Sequence, residues 1–431
     1  MAHSIDDVCP NVTSLPTPTP AQVKLGTACS SMTGTAVVLQ GGSNPGNLPS
    51  LPLDLNGLKS ALTQLNGGSV TIVPTTQASV LRNLQSNVVL SRLSLMRVRM
   101  LGGGMASDDA ARTTLLAMGN DPAASDANGS ILVAQNAPTE VSIWSGRLSL
   151  YLNGLGQFGD AGTTGSQSGY SFDSEGFVLG GDYSLTPKLS IGLSFGYTHS
   201  NSDFDVTPQS PPGQFLRGDL LQGSLYALWY ATDQLYLSAI ASIGGGDNDS
   251  QRQIAISGLA PATETGSFGT RTYGLAVGGG YMIPMGALTL TPTARVEYRR
   301  LTSDAFTENG SSGLELTYGG AAENEVLTFI GGQVQYAIST GFGVVTPTLR
   351  GEWAHQYNSG NTVISVAYAN DPTFSTVTLA GTQPSRNYGD IGVGVALQFQ
   401  GNWSSFINYD AIVGVANTTF NSFTAGVRFG F

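Results

Sequence analysis

Charge is what this chain has least of. Charged residues fill 11 % of its 431 positions, against about a quarter in an ordinary soluble domain. Most of its surface must therefore face something other than water. Long apolar runs are missing too. A helix that crosses a bilayer needs roughly 20 apolar residues in a row. The most helix-like stretch, 78–100, is broken by Arg82, Arg92, Arg97 and Arg99, and mean hydropathy is only +0.04. A helical membrane protein is excluded. Basic residues are outnumbered, the net charge is −11, and there is no basic stripe, which argues against a nucleic-acid partner. Histidine is scarce: His3, His199 and His355 are all there are. A Ser/His/acid site would need one of them. His355 falls near Glu352, and His199 near Asp203 and Asp205; a locally bonded rim histidine is the plainer reading of both. No Gly-x-Ser-x-Gly elbow exists. Asp247, Asp249 and the glycines 244–246 lack EF-hand spacing, and GLAVGGG leads into no nucleotide-binding helix. The sequence thus predicts no enzyme, no cofactor and no metal. The opening MAHSIDD has no apolar core and is not an export signal, so the numbering is expected to be that of a mature or trimmed chain.

What is present, from about residue 139 onward, is alternation of period two, the mark of strands. In the first strand Trp144, Leu148, Leu150 and Leu152 share one face; Ser145, Arg147, Ser149, Tyr151 and Asn153 share the other. In the third, Leu189, Ile191, Leu193, Phe195 and Tyr197 oppose Lys188, Ser190, Ser194 and Thr198. In the seventh, Leu288, Leu290, Ala294, Val296 and Tyr298 oppose Thr289, Thr293, Arg295, Glu297 and Arg299. In the last, Phe423, Ala425, Val427, Phe429 and Phe431 oppose Ser422, Thr424 and Arg428. The polar face is mostly Ser, Thr and Gly with isolated charges, which suits a confined lumen better than open solvent. Aromatic residues gather at strand ends (Trp144, Tyr197, Trp229, Tyr230, Tyr281, Tyr298, Trp353, Trp403), as in interfacial girdles. Short turns at 184–187, 231–234, 284–286, 339–341 and 400–402 alternate with long connections at 159–169, 201–213, 247–266, 302–324 and 358–387. That is the asymmetry of periplasmic turns and extracellular loops. The expectation is an all-β membrane protein: an antiparallel transmembrane β-barrel of about 12 strands over 139–431, in a Gram-negative outer membrane with loops at the cell surface. A segment at 363–369 reads as a possible loop hairpin.

The first 138 residues differ in character. Residues 1–75 form a short helical and linker segment: a helix from Thr19-Pro20 to about Met32, a Gly/Pro/Ser/Asn linker at 41–52, and a short helix at 55–65 stopped by Gly67 and Gly68. Cys9 and Cys29 lie here; they would pair in an oxidising compartment and otherwise be two free thiols. Within 76–101 the sequence predicts a helix over about 76–100, about 37 Å long, with Arg82, Arg92, Arg97 and Arg99 spread around it beside a partial apolar stripe of Val80, Leu84, Val88, Leu95 and Val98. Lipid would not take those arginines, but a polar lumen of about twelve strands would hold one helix. Lumen-facing partners are expected among Glu175, Arg295, Glu297, Arg299, Glu352 and Asp390. The alternative is an ordinary periplasmic helix. Residues 102–138 read as a flexible tether.

Several stretches resemble the autotransporter, or type V secretion, translocator domain. SIWSGRLSLYLNGLGQFGD and GYSFDSEGFVLGGDYSLTPKLSIGLSFGYTHSNSDFD resemble its first three strands. VVTPTLRGEWAHQYN resembles a late strand, and PSRNYGDIGVGVALQFQGNWSSFINYDAIVGVANTTFNSFTAGVRFGF the closing three. QSNVVLSRLSLMR is similar to the helix that family threads through its pore. The CP and AQVKLGTACSSM stretches resemble a Cys-containing segment of some members. The resemblance implies export and anchoring of an N-terminal segment through a helix-plugged barrel. It further implies a monomer inserted by the outer-membrane assembly machinery, with periplasmic chaperones and lipopolysaccharide as partners. The last strand, Phe423, Val427, Phe429 and Phe431, would be the assembly signal. At most about 75 residues precede the pore helix, a short or trimmed passenger, and the Asn-Asn pair at which some members cut themselves is missing. The other readings are a diffusion porin and a surface adhesin acting through its long loops.

Overall fold

The computed structural model describes residues 60–61, 63–65, 147–163, 168–256, 260–357, 363–370, 376–380, 385–399 and 403–430. Twelve long strands carry the fold: β1 Leu148–Ala161, β2 Tyr170–Thr186, β3 Leu189–Phe204, β4 Phe215–Tyr230, β5 Leu235–Ile254, β6 Ala262–Tyr281, β7 Leu288–Ser303, β8 Ala321–Tyr336, β9 Gly343–Gln356, β10 Asn387–Phe399, β11 Trp403–Val413 and β12 Thr418–Gly430. Each pairs antiparallel with its chain neighbours. β1 pairs with β12, from Ser149↔Gly430 to Ala161↔Thr418, and so closes the ring. Closure removes the sheet edges, whose unpaired amides would find no partner in hydrocarbon.

The side-chain period decides which face is which. Leu193 is 66 % and Phe195 52 % exposed, whereas Thr198 and Ser200 on the other face are fully buried. A sheet whose apolar side chains point out and whose polar ones point in is inverted relative to a soluble barrel, and its outer medium is lipid. Trp229, Tyr281 and Trp403 project outward at one end, and Trp353 and Tyr298 nearer the other, an arrangement of two girdles. Tyr230 departs from the girdle expectation: it points inward and packs on Tyr236. Trp144 lies outside the described residues.

The connections alternate as expected. Both the start of β1 and the end of β12 lie at the short-turn end, which faces the periplasm. One expectation needs correction. Residues 247–266 are largely strand, because β5 and β6 each run 20 residues and stay paired to Ile254↔Ala262. Spanning takes roughly 10 residues, so this hairpin stands well clear of the bilayer. There the outer face meets water rather than lipid, and polar Asp247-Asn248-Asp249-Ser250 carries no apolar alternation to mark it as strand. Above the membrane the two longest loops fold on each other. Phe306–Thr307, Leu316–Tyr318, Val363–Tyr368 and Val377–Ala380 form a separate four-stranded sheet, and 363–368 is a loop strand rather than a barrel strand.

Candidate functional site: the lumen and its outer cap

Inside the ring the two walls differ. The β1–β6 wall is lined by Tyr151, Leu155, Val178, Tyr226, Leu228 and Tyr236. Its tyrosine rings lie on glycines of the adjoining strands: a Cβ at Gly192 would come within 2.2 Å of the Tyr226 ring, and one at Gly180 within 2.3 Å of the Tyr151 hydroxyl. The β7–β11 wall carries charge. Arg295 donates to Glu297 at 2.5 Å and to Glu352 at 2.7 Å, and its guanidinium sits 3.8 Å above the Phe329 ring. Arg299 also binds Glu297 and lies 4.0 Å from Glu325. Arg350 reaches Glu352 at 2.7 Å, Asp390 at 3.0 Å and Asp410 at 2.7 Å. Three guanidiniums thus face five carboxylates, so acidic groups outnumber basic ones on this wall. A surplus of that sign attracts cationic side chains, and inside a low-dielectric ring such attraction is screened less than at a surface.

The outer end is built around Arg252 of β5. Its side chain is 2 % exposed and doubly bonded to Glu308, at 2.9 and 2.5 Å. Glu308 also accepts from the Tyr318 hydroxyl and the Leu316 amide, both at 2.9 Å, and Arg252 donates to the Leu314 carbonyl at 2.9 Å. The pair is therefore satisfied on nearly every side, as a buried ion pair must be. Leu316, Tyr318, Val366 and Tyr368 bury themselves around it, and Phe306 stacks between Phe268 and Tyr318. Glu264 is fully buried here with Ser312 donating to it, and burial pushes its carboxyl above the usual range.

Against this cap lies a piece of the N-terminal segment. Residues 60, 61 and 63–65 are helical, and Ala61 and Leu65 are buried. The Gln64 amide donates to the Pro208 carbonyl at 2.9 Å and accepts from the Ala255 amide at 2.7 Å. Arg252 Nη1 donates to the Gln64 carbonyl and Tyr368 Oη to the Leu65 carbonyl, each at 3.2 Å. Ser60 donates to the Pro208 carbonyl. Pro208 belongs to the β3–β4 loop, Ala255 to the β5–β6 loop and Tyr368 to the β9–β10 loop. The first and last of these stand on opposite sides of a twelve-stranded ring, so the residues they share lie across its outer mouth.

Of the residues singled out in the sequence, Arg295, Glu297, Arg299, Glu352 and Asp390 are brought together in the lumen. Glu175 is not: it lies exposed on the outer face, opposite Gly156 and His199. It has the parity of Phe177 and Leu179, which also face out. His199 bonds Asp219 at 2.8 Å rather than Asp203 or Asp205, and His355 bonds Asn387 at 2.8 Å. The helix arginines Arg82, Arg92, Arg97 and Arg99, the cysteines Cys9 and Cys29, and Phe431 lie outside the described residues. Phe423 and Val427 are exposed on the outer face of β12, with Phe429 half-buried beside them. Sequence reading missed Arg350, Asp410, Glu325 and the Arg252–Glu308 pair. For Arg350 the signal was available, because it has the parity of Glu352.

Three comparisons bear on this architecture. The chain is 27 % identical over 256 residues to Outer membrane protein A of Rickettsia rickettsii, and 26 % over 255 residues to that of Rickettsia conorii. Each match takes in 58 % of this chain but only 11 % and 12 % of the relative, so the chain spans about a ninth of the length of these relatives. The translocator domain of the autotransporter NalP from Neisseria meningitidis superposes with a TM-score of 0.53 at 17 % identity, over 66 % of this chain and 89 % of that one, which is likeness of fold. The autotransporter beta-domain family model matches residues 150–410, from β1 to β11. With that match added to a closed twelve-stranded ring, an inverted hydropathy pattern and a polar lumen, the chain belongs to the autotransporter β-domain family and is a protein of the Gram-negative outer membrane.

Proposed function

We propose that this barrel exports and anchors its own N-terminal segment, and that helix 76–100 stays behind in the lumen as the plug. The observation that carries this reading is the place of residues 60–65. They lie on loops at the extracellular mouth, while β1 starts at Leu148 on the periplasmic rim. On this reading the chain between them has to cross the membrane. It holds no apolar run that lipid would accept, which leaves the lumen. The two walls suit such a helix: Arg92, Arg97 and Arg99 would meet the carboxylate surplus of the β7–β11 wall, and Val80, Leu84 and Val88 the tyrosine wall.

An epitope tag placed ahead of residue 1 tests the reading. It should be detected on intact cells carrying the folded barrel; a tag reached only after lysis, with the barrel correctly inserted, would sink it. Within the same reading the chain acts as a monomer without enzymatic activity. Lipopolysaccharide and periplasmic chaperones are partners, and the assembly machinery reads Phe423, Val427, Phe429 and Phe431. Cys9 and Cys29 pair on reaching the periplasm, and alkylation without reductant should leave the mass of the chain unchanged.

A further inference from the structure

We infer that the extracellular loops form a built seat for residues 60–65, and that the exported segment is kept there as a latch across the barrel mouth rather than passed on into the medium. The inference rests on the export reading above and adds the partner of the loop cap: a defined stretch of the same chain. The seat reads chemistry, not just shape. The Gln64 side chain is used on both sides, its nitrogen giving to Pro208 and its oxygen taking from Ala255. The backbone carbonyls of Gln64 and Leu65 belong to the last described turn of the helix. Arg252 and Tyr368 donate to them, and the guanidinium makes the first of these bonds charge-assisted. Ala61 and Leu65 then bury the apolar side of the turn.

A carboxylate at position 64 would have the right shape and the wrong chemistry. Gln64→Glu replaces the donor facing Pro208 with an acceptor, so two oxygens would be opposed. The seat is therefore selective for an amide.

Labelling of a single cysteine tests the latch. Thr63→Cys, in a Cys9→Ser/Cys29→Ser chain with an N-terminal tag, sits at a half-buried position of the docked turn. In intact cells a membrane-impermeant maleimide should label it slowly. Gln64→Glu should speed that labelling roughly tenfold or more, since buried hydrogen bonds are lost and an acceptor is left facing an acceptor. Tyr368→Phe, which removes one hydroxyl and spares the fold, should speed it by less. Equal rates in all three chains with the tag on the surface would overturn the latch and leave export standing. A cysteine and a tag both hidden until lysis, in a barrel that still resists unfolding in detergent, would overturn both.

Discussion

Arg350 is the side chain on which the lumen network turns. It stands between Glu352, Asp390 and Asp410, and no other guanidinium among the described residues contacts Asp390 or Asp410 in an ion pair. Arg350→Met would keep much of the volume and leave two buried acids uncompensated. Removing one partner of a buried pair costs about 3–5 kcal/mol. The variant should lose its heat-resistant migration in detergent gels at a clearly lower temperature, and Asp410→Asn in that background should recover part of the loss. Above the membrane, Glu264 gives a pH-dependent counterpart. Its folded carboxyl is raised by burial above the ordinary 4.5, so the neutral form favours the folded cap. That contribution is fully present below the unfolded value and is lost as pH rises through the folded one. Protease resistance of the cap should therefore be higher in mild acid than at neutral pH, and Glu264→Gln should flatten the difference. These residues were legible to different degrees. Arg295, Glu297 and Arg299 stand in one strand whose apolar residues hold the opposite parity, so their inward aim could be read. Glu175 has the parity of Phe177, and an outward position follows from the same rule. Its charge suggests the lumen, but the upper outer face of β2 stands in water and accepts a carboxylate there.

Strands were the most legible elements, since lipid on one side and a lumen on the other impose the same period along each of them. The period fails where the environment changes. The upper halves of β5 and β6 have water on the outer face and the polar cap on the inner one, and their sequence reads as loop; only pairing to Ile254↔Ala262 reveals them. The cap sheet was also hidden. Leu316–Tyr318 pairs with Val363–Tyr368 across a separation that no local pattern encodes. Spacing between strands was equally silent, because the tyrosine-on-glycine packing of the β1–β6 wall joins residues of different strands. Gly192 lies beneath Tyr226, which is 1 % exposed and has nowhere to move. Gly192→Val should therefore cost about 1–3 kcal/mol through overpacking. A Gly154→Val variant serves as the control, because nothing lies within 4 Å of a Cβ there. Unfolding of both in urea would compare them, and equal midpoints would mean that the ring tolerates displacement.

At the scale of the whole molecule the question is what fills the ring. Twelve strands enclose more than an eight-stranded barrel, which side chains can fill, and less than a sixteen-stranded porin. One helix, about 10–12 Å across, matches that gap. The lumen is also asymmetric: along β1–β6 tyrosines and aliphatic side chains stand among mostly uncharged polar ones such as Asn153, Thr198 and Gln222, and along β7–β11 acidic groups outnumber basic ones. An open channel for small solutes gains nothing from such a division, whereas a helix that carries several arginines beside a partial apolar stripe would find a complement in each wall. Planar-bilayer conductance separates the alternatives. The intact chain should stay closed, with brief openings at most. Deletion of 76–100 should produce a large, steady conductance that favours cations, because the surplus carboxylates would then line free water. Arg92→Ala/Arg97→Ala/Arg99→Ala should give intermediate, flickering behaviour if those guanidiniums hold the helix to the charged wall. Steady conductance already present in the intact chain, unchanged by the deletion, would place the helix outside the lumen. The route from the outer cap to Leu148 would then have to be sought elsewhere.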